Sequence, residues 1–252
     1  MDPDVRSDKP GVCPRCGMKL VLQLPDPVEY TLEVQTTPHL VQPRQQVEIT
    51  FHIRDPRTGQ LTQKFDVVHE KLLHLFLVSE NLEFFAHVHP EIQPDGSFKL
   101  TTRFPHGGMY RILTDYYPSG ALPQLTLGTL YVAGSAPKAT LKPNLSASRA
   151  ENLSASLSSD PPQPLAGLET KLLYTLQPGD GLQPYLGTWG HMLAESHDLI
   201  DMLHVHPFLG SGGPQIQFNV LFPRPGLYRI WTQFQRLDTV NTTCFTVPVS
   251  AL

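Results

Sequence analysis

The chain has few charged residues, few cysteines and no long apolar segment. Charged residues make up 17% of its 252 residues and the formal net charge is −4, which argues against a polybasic surface that binds nucleic acid. No run of 18 apolar residues occurs, so we expect no transmembrane segment. The N-terminus also lacks the basic and then apolar order of a signal peptide. The sequence therefore predicts neither a nucleic-acid partner nor a membrane-spanning segment.

Helical periodicity is also lacking, and the pattern that replaces it is typical of β-strands. Apolar and polar residues alternate over residues 46–53 and 215–222, as in strands with one buried face. The 25 prolines and 18 glycines suit short strands joined by turns. A Gly-x-Tyr motif at residues 108–110 and 226–228 resembles the tyrosine corner of immunoglobulin-like sandwiches. We predict an all-β protein with two tandem immunoglobulin-like β-sandwich domains.

An internal repeat defines the domains. Residues 74–90 and 191–207 share one arrangement of three histidines, and both end in His-Val-His-Pro. A repeat of this length indicates tandem domains of ordinary size rather than a short-period solenoid. We predict a separate N-terminal segment over residues 1–24, a first sandwich over 28–134, a linker over 135–150 and a second sandwich over 151–252.

The repeated histidines are the main candidate metal ligands. An offset of 117 residues relates the two triads: His74, His87 and His89 in the first, and His191, His204 and His206 in the second. Alternation places the last two histidines of each triad on one face of a strand, and the first lies on the preceding strand. Imidazole is a common ligand for copper and zinc. We therefore expect one three-histidine site for a copper or zinc ion in each domain; the alternative is a structural hydrogen-bond network inherited by both copies.

The copies differ in what surrounds the triads. The first copy has three further candidate donors: His69, Glu70 and Asp115. Their counterparts carry neither imidazole nor carboxylate: Leu186, Gly187 and Gln233. The second copy has its own candidates for an additional ligand: Met192, Met202 and His197. We expect His69 among the ligands of the first site, a preference of that site for Cu(II) or Zn(II), and a softer second site if a methionine joins it.

The N-terminal segment carries a thiol motif, Cys13-Pro-Arg-Cys16-Gly-Met18. With Met1 and the Pro-Gly turn at residues 10–11, it resembles the heavy-metal-binding domain of bacterial copper and silver efflux systems. The resemblance implies that Cys13, Cys16 and Met18 handle soft ions such as Cu(I) and Ag(I). It also implies an efflux or envelope metal-transfer protein as partner and a periplasmic or secreted location. Asp2 replaces the family's histidine, and we expect an upstream part with a signal peptide. A disulfide or a redox pair remains the alternative for the two cysteines.

Three functions are compatible with these features. The first is a non-enzymatic metal-binding protein of the bacterial envelope, acting in copper or heavy-metal homeostasis or resistance. The second is an enzyme in which a three-histidine site with an open position activates water or oxygen, with Glu70 or Glu91 as a base in the first copy. The third is an adhesion or scaffold module with structural metal. We favour the first, because the second copy has no carboxylate at the corresponding positions.

Overall fold

A computed structural model describes residues 5–14, 19–20, 27–209 and 211–252, and its regular elements are all β-strands. In these ranges there is no helix with the length and apolarity needed to cross a bilayer. The chain divides into two compact units between Ala139 and Thr140. The predicted all-β fold with two immunoglobulin-like sandwich domains is confirmed.

The first unit consists of two antiparallel sheets whose facing sides form its core. Strands of the first unit are β1 (Thr31–Thr37), β2 (Gln46–Arg54), β3 (Leu73–Ser79), β4 (Phe85–Val88), β5 (Glu91–Ile92), β6 (Phe98–Arg103), β7 (Gly108–Tyr116) and β8 (Gln124–Val132). One sheet has the order β1-β2-β6-β5 and the other β4-β3-β7-β8. Alternate residues of β2 are buried, as its sequence pattern predicts, and they pack against leucines of β3 in one core cluster.

The second unit repeats this arrangement with two extra short strands. Its strands are β9 (Ser148–Arg149), β10 (Ser154–Asp160), β11 (Glu169–Gln177), β12 (Leu182–Gln183), β13 (His191–Ser196), β14 (Met202–Val205), β15 (Pro207–Leu209), β16 (Gln215–Leu221), β17 (Gly226–Arg236) and β18 (Thr239–Val249). One sheet has the order β9-β10-β11-β16-β15. The other sheet contains β14, β13 and β17 in that order, and β12 and β18 each pair with β17 as well. Part of the segment predicted as linker is thus integrated into a sheet, because β9 pairs with β10.

Both units contain the expected tyrosine corner. The Tyr110 hydroxyl donates to the backbone oxygen of His106 at 2.9 Å, and the Tyr228 hydroxyl lies 3.0 Å from the backbone oxygen of Arg224. In each case the acceptor is four residues upstream, as in immunoglobulin-like sandwiches. In each unit this contact links the loop to the strand that follows it, β7 in the first unit and β17 in the second.

One loop design sets the register of the two strands that carry each triad. Ser79 and Ser196 each end the first strand, and their hydroxyls donate to the side chains of Asn81 and Asp198 at 2.7 and 2.6 Å. The same hydroxyls accept backbone N–H groups five residues further on, each at 2.9 Å. Because loop geometry fixes hairpin register, the same pairing results: His87 lies opposite Phe76 and His204 opposite Leu193.

In the second unit an arginine reinforces this loop. Arg224 contacts the carboxylates of both Asp198 and Asp201 at 2.8 Å. Hydrogen bonding to the Arg224 guanidinium holds the pKa of Asp198 well below its usual range. The ion pair thereby ties the hairpin of the second triad to the loop that precedes β17.

We predict that Asp198→Asn lowers the stability of the chain at pH 7 and that this effect becomes smaller in acid. A carboxylate with a depressed folded-state pKa stabilises the fold above its unfolded pKa of about 3.9, and the contribution is lost as the pH falls through the folded-state pKa. Denaturant unfolding of the full chain between pH 7 and pH 2 measures this. The exposed Glu151→Gln of the same unit is the control, and identical pH profiles for Asp198→Asn and the unmodified chain would contradict the prediction.

Candidate metal centre

Each triad lies on the face of a sheet that points away from the core of its unit. Leu73 and Leu75 flank His74 on β3, and both belong to the core between the sheets, so the alternating His74 side chain points to the opposite face. The same holds for His191, whose neighbour Met192 lies in the core of the second unit. Both first histidines are buried, each with 2% exposure.

The three imidazoles of each triad converge. In the first unit, His74 Nδ1 lies 3.1 Å from His87 Nε2, and the His89 ring centroid is 5.0 Å from that of His74. In the second unit, His191 Nδ1 lies 3.5 Å from His204 Nε2 and 3.1 Å from His206 Nε2. Within each triad, one nitrogen per ring lies within 4.8 Å of the other two. The sequence-predicted triads are therefore brought together in both units.

These separations fit a single ion. Two nitrogens that each lie about 2.0–2.1 Å from one tetrahedral ion are about 3.3 Å apart. The observed 3.1 and 3.5 Å distances fall on either side of that value. His191 Nδ1 has one in-plane lone pair, yet two other ring nitrogens approach it. An ion shared by the three nitrogens satisfies all of them at once, which a chain of N–H···N bonds does not.

A backbone carbonyl orients the first ring of each triad. His74 Nε2 lies 3.1 Å from the backbone oxygen of Val68, and His191 Nε2 lies 3.1 Å from that of Tyr185. A carbonyl oxygen only accepts, so Nε2 carries the proton in both rings. Nδ1 is then unprotonated and turns its lone pair towards the other two histidines. Metal-bound histidines are commonly held in this way, with the second nitrogen donating to a carbonyl or carboxylate.

That carbonyl belongs to a two-residue turn that occurs in both units. Val68 bridges Lys71, and Tyr185 bridges Thr188. The two residues inside each turn have positive φ: 49° and 64° at His69 and Glu70, and 51° and 74° at Leu186 and Gly187. Such turns favour glycine and asparagine. The second unit has glycine at the second position of the turn, whereas the first unit has Glu70 there, which adds backbone strain next to the first triad.

We predict that Glu70→Gly stabilises the chain by about 0.5–1 kcal/mol, because glycine relieves the left-handed conformation while costing some chain entropy. Gly187→Glu in the second unit is the reciprocal variant and is expected to destabilise by a similar amount. Denaturant unfolding of both full-length variants provides the measurement. A loss of stability in Glu70→Gly would show that the Glu70 side chain makes a contact worth more than the strain.

The other predicted ligands have different positions. His69 lies outside the converging group, with its ring centroid 6.3 Å from that of His74, so its place among the ligands stays a prediction. Met192 does not join the second site: its sulfur faces the core and is 3.8 Å from the Tyr174 hydroxyl. His197 is exposed in the hairpin loop, at the end of β13 that is remote from His191.

The N-terminal thiol motif is only partly described. Cys13 is buried with 5% exposure, and the adjacent Val12 bridges Lys19. The predicted ligands Cys16 and Met18 lie outside the described residues. The knuckle formed by these three side chains therefore stays a prediction.

Sequence reasoning missed the parts of each site that are not histidine side chains. The orienting carbonyls of Val68 and Tyr185 have no side-chain signature, although both precede their histidine by six residues. It also missed the apolar floor of the first site, where the Phe76 ring stacks on His87 with centroids 4.2 Å apart. The opposing residue in the second site is Leu193.

Comparison with known families places most of the chain. The chain belongs to the family described as Domain of unknown function (DUF8832), which matches it twice, over residues 26–129 and 137–251. A second family, described as Heavy metal binding domain, matches residues 1–22. The duplication and the N-terminal metal-binding region inferred from the sequence are thereby supported. Among curated proteins no match is found.

Several solved structures are distantly similar. The Escherichia coli adhesin FdeC is 14% identical, with 92% of this chain and 68% of that one covered and a TM-score of 0.31. The Yersinia pseudotuberculosis adhesin InvE is 11% identical, with 86% and 58% covered and a TM-score of 0.27. A two-domain fibronectin type-III segment of chicken tenascin is 11% identical, with 88% and 99% covered and a TM-score of 0.25. The chain thus covers less than two thirds of the length of InvE.

Proposed function

We propose that this chain is a non-enzymatic metal-binding protein of the bacterial envelope, acting in copper or heavy-metal homeostasis or resistance. In this proposal each sandwich domain binds one copper or zinc ion through its histidine triad. The N-terminal knuckle binds softer ions through Cys13, Cys16 and Met18, and exchanges them with an efflux or envelope metal-transfer protein.

One observation carries the proposal for the triads. In both units, a backbone carbonyl accepts a hydrogen bond from Nε2–H of the buried histidine, and one nitrogen of each of the three rings lies within 4.8 Å of the other two. A structural hydrogen-bond network, the alternative to a metal site, needs only one N–H group between each pair of rings. Three ring nitrogens brought together in this way, with the tautomer of the first ring set by a carbonyl, suit the binding of one metal ion.

The absence of an enzymatic role is part of the proposal and rests on the comparison of the two units. Both share the three imidazoles, but Glu70 and Asp115 of the first have Gly187 and Gln233 as counterparts. General-base catalysis at a metal centre needs a proton acceptor beside the bound water. A function common to both units is therefore served by binding alone.

The match of residues 1–22 to a heavy metal binding domain supports the role of the N-terminal segment. The matched range includes the two cysteines and Met18. Thiolate and thioether ligands favour Cu(I) and Ag(I), whereas imidazoles suit Cu(II) and Zn(II) as well. The chain would thus contain two kinds of site that differ in softness.

We predict that His87→Ala combined with His204→Ala abolishes Zn(II) and Cu(II) binding to the two domains, because each site then keeps only two imidazoles. The full chain should change from about two tightly bound Zn(II) ions to none at the triads. Calorimetric titration of chelator-free protein measures the stoichiometry.

The matched control is His39→Ala combined with His197→Ala, which removes two exposed imidazoles outside the triads. It should retain the full stoichiometry. If the triad variant also retains it, the triads are structural hydrogen-bond networks and the proposal fails.

We predict the reverse selectivity for the knuckle. Replacing Cys13 and Cys16 by serine should remove one Ag(I) or Cu(I) ion per chain under reducing conditions and leave the Zn(II) stoichiometry of the triads unchanged. Titration with Ag(I) before and after the substitution tests this. An unchanged Ag(I) stoichiometry would show that the thiols do not hold the soft ion.

A further inference from the structure

The two triads are nearly identical in their ligands but differ in the residue that lies beside the first histidine. In the first unit, His74 is the direct cross-strand partner of Asp115 on β7. In the second unit, His191 is the partner of Gln233 on β17. Directly opposed residues of an antiparallel pair share a face, with Cβ atoms about 4.5–5.5 Å apart. Asp115 and Gln233 are both buried, with 6% and 8% exposure.

The neighbouring strands, β8 in the first unit and β18 in the second, also differ in the residue that lies opposite Asp115 and Gln233. Gln233 Nε2 donates to Thr242 Oγ1 at 3.1 Å, so its amide is engaged by the neighbouring strand β18. The cross-strand neighbour of Asp115 on β8 is the apolar Leu125. Asp115 thus places a buried carboxyl group beside the first triad, whereas the second triad has an amide, which does not ionise, in the same place.

We propose that the two triads select ions of different charge: the first a divalent ion such as Zn(II) or Cu(II), and the second, relative to the first, a monovalent ion such as Cu(I) or Ag(I). Asp115 is the residue that determines this difference. The inference rests on the proposed function, namely that both triads bind metal. It needs no difference in ligand atoms, since three imidazoles converge in each site.

The physical basis is the net charge of the loaded site. Three neutral imidazoles and a divalent ion leave a charge of +2 in a part-buried site, which is costly to desolvate. A nearby carboxylate attracts a divalent ion twice as strongly as a monovalent ion at the same place. Asp115 therefore raises the affinity of the first site for both kinds of ion, but raises it more for the divalent one.

The test compares the two sites within the full chain, with Cys13→Ser and Cys16→Ser present throughout to silence the knuckle. One reporter carries His204→Ala and His206→Ala and keeps only the first triad; the other carries His87→Ala and His89→Ala and keeps only the second. Zn(II) and Ag(I) serve as probes because neither changes oxidation state under the conditions of the assay. The measured quantity is the ratio of Zn(II) to Ag(I) affinity in each reporter.

We expect this ratio to be at least ~10-fold higher in the first reporter than in the second. Asp115→Asn, which keeps the shape of the side chain, should lower the ratio of the first reporter towards that of the second. Gln233→Asp should raise the ratio of the second. Glu48→Gln, which removes the same charge from a salt bridge with Lys99 on the other sheet, should leave the ratio unchanged.

Several results would overturn the inference. Equal ratios in the two reporters, or an unchanged ratio in a folded Asp115→Asn variant, would remove the role of Asp115. If thermal unfolding shows that Asp115→Asn does not fold, the Gln233→Asp variant decides, and no change in its ratio refutes the inference. Loss of both ions from both reporters refutes the proposed function as well, whereas binding with equal ratios refutes only the charge selection.

Discussion

The geometry of each candidate site depends on one hydrogen bond, from the Nε2 of a buried histidine to a backbone carbonyl six residues upstream. This bond determines the position of the imidazole proton, and with it the nitrogen that is available to a ligand. Reversing the tautomer would place N–H where the lone pair is needed. The two-residue turn supplies the carbonyl that sets this tautomer. The strand pairing then brings the other two rings close to the unprotonated nitrogen.

The frame around the triads has been retained while the packing beside them has changed. The serine-capped hairpin loop and the two-residue turn recur in both units, but Phe76 is opposed to His87 where Leu193 is opposed to His204. Register is sensitive to loop length, because a slip of one residue would move the histidines to the core face. Apolar contacts tolerate substitution more readily, provided that volume is maintained.

Much of this arrangement was predictable from the sequence, because its signals are periodic. Alternating residues gave the strands, and the offset of 117 residues gave the triads, whose convergence follows from the hairpin pairing. Other parts of the site depend on the direction in which a side chain or a carbonyl group points, which residue spacing along the chain does not show directly. Met192 is next to the triad histidine His191 in sequence and therefore points the opposite way on the strand. The orienting carbonyls were not predictable, since a backbone acceptor carries no residue identity.

The triads are built on the outward face of sheets whose cores are complete without them. Each sandwich buries its own aromatic and aliphatic cluster between the sheets, and no triad histidine belongs to either cluster among the described residues. In the proposed function the fold of each domain therefore does not depend on the ion, unlike the fold of small zinc modules, in which the ion replaces a core; a bound ion only adds to the stability of the folded domain. Under the proposed function, each domain would stay folded in both its loaded and its emptied form, which suits reversible binding of metal ions.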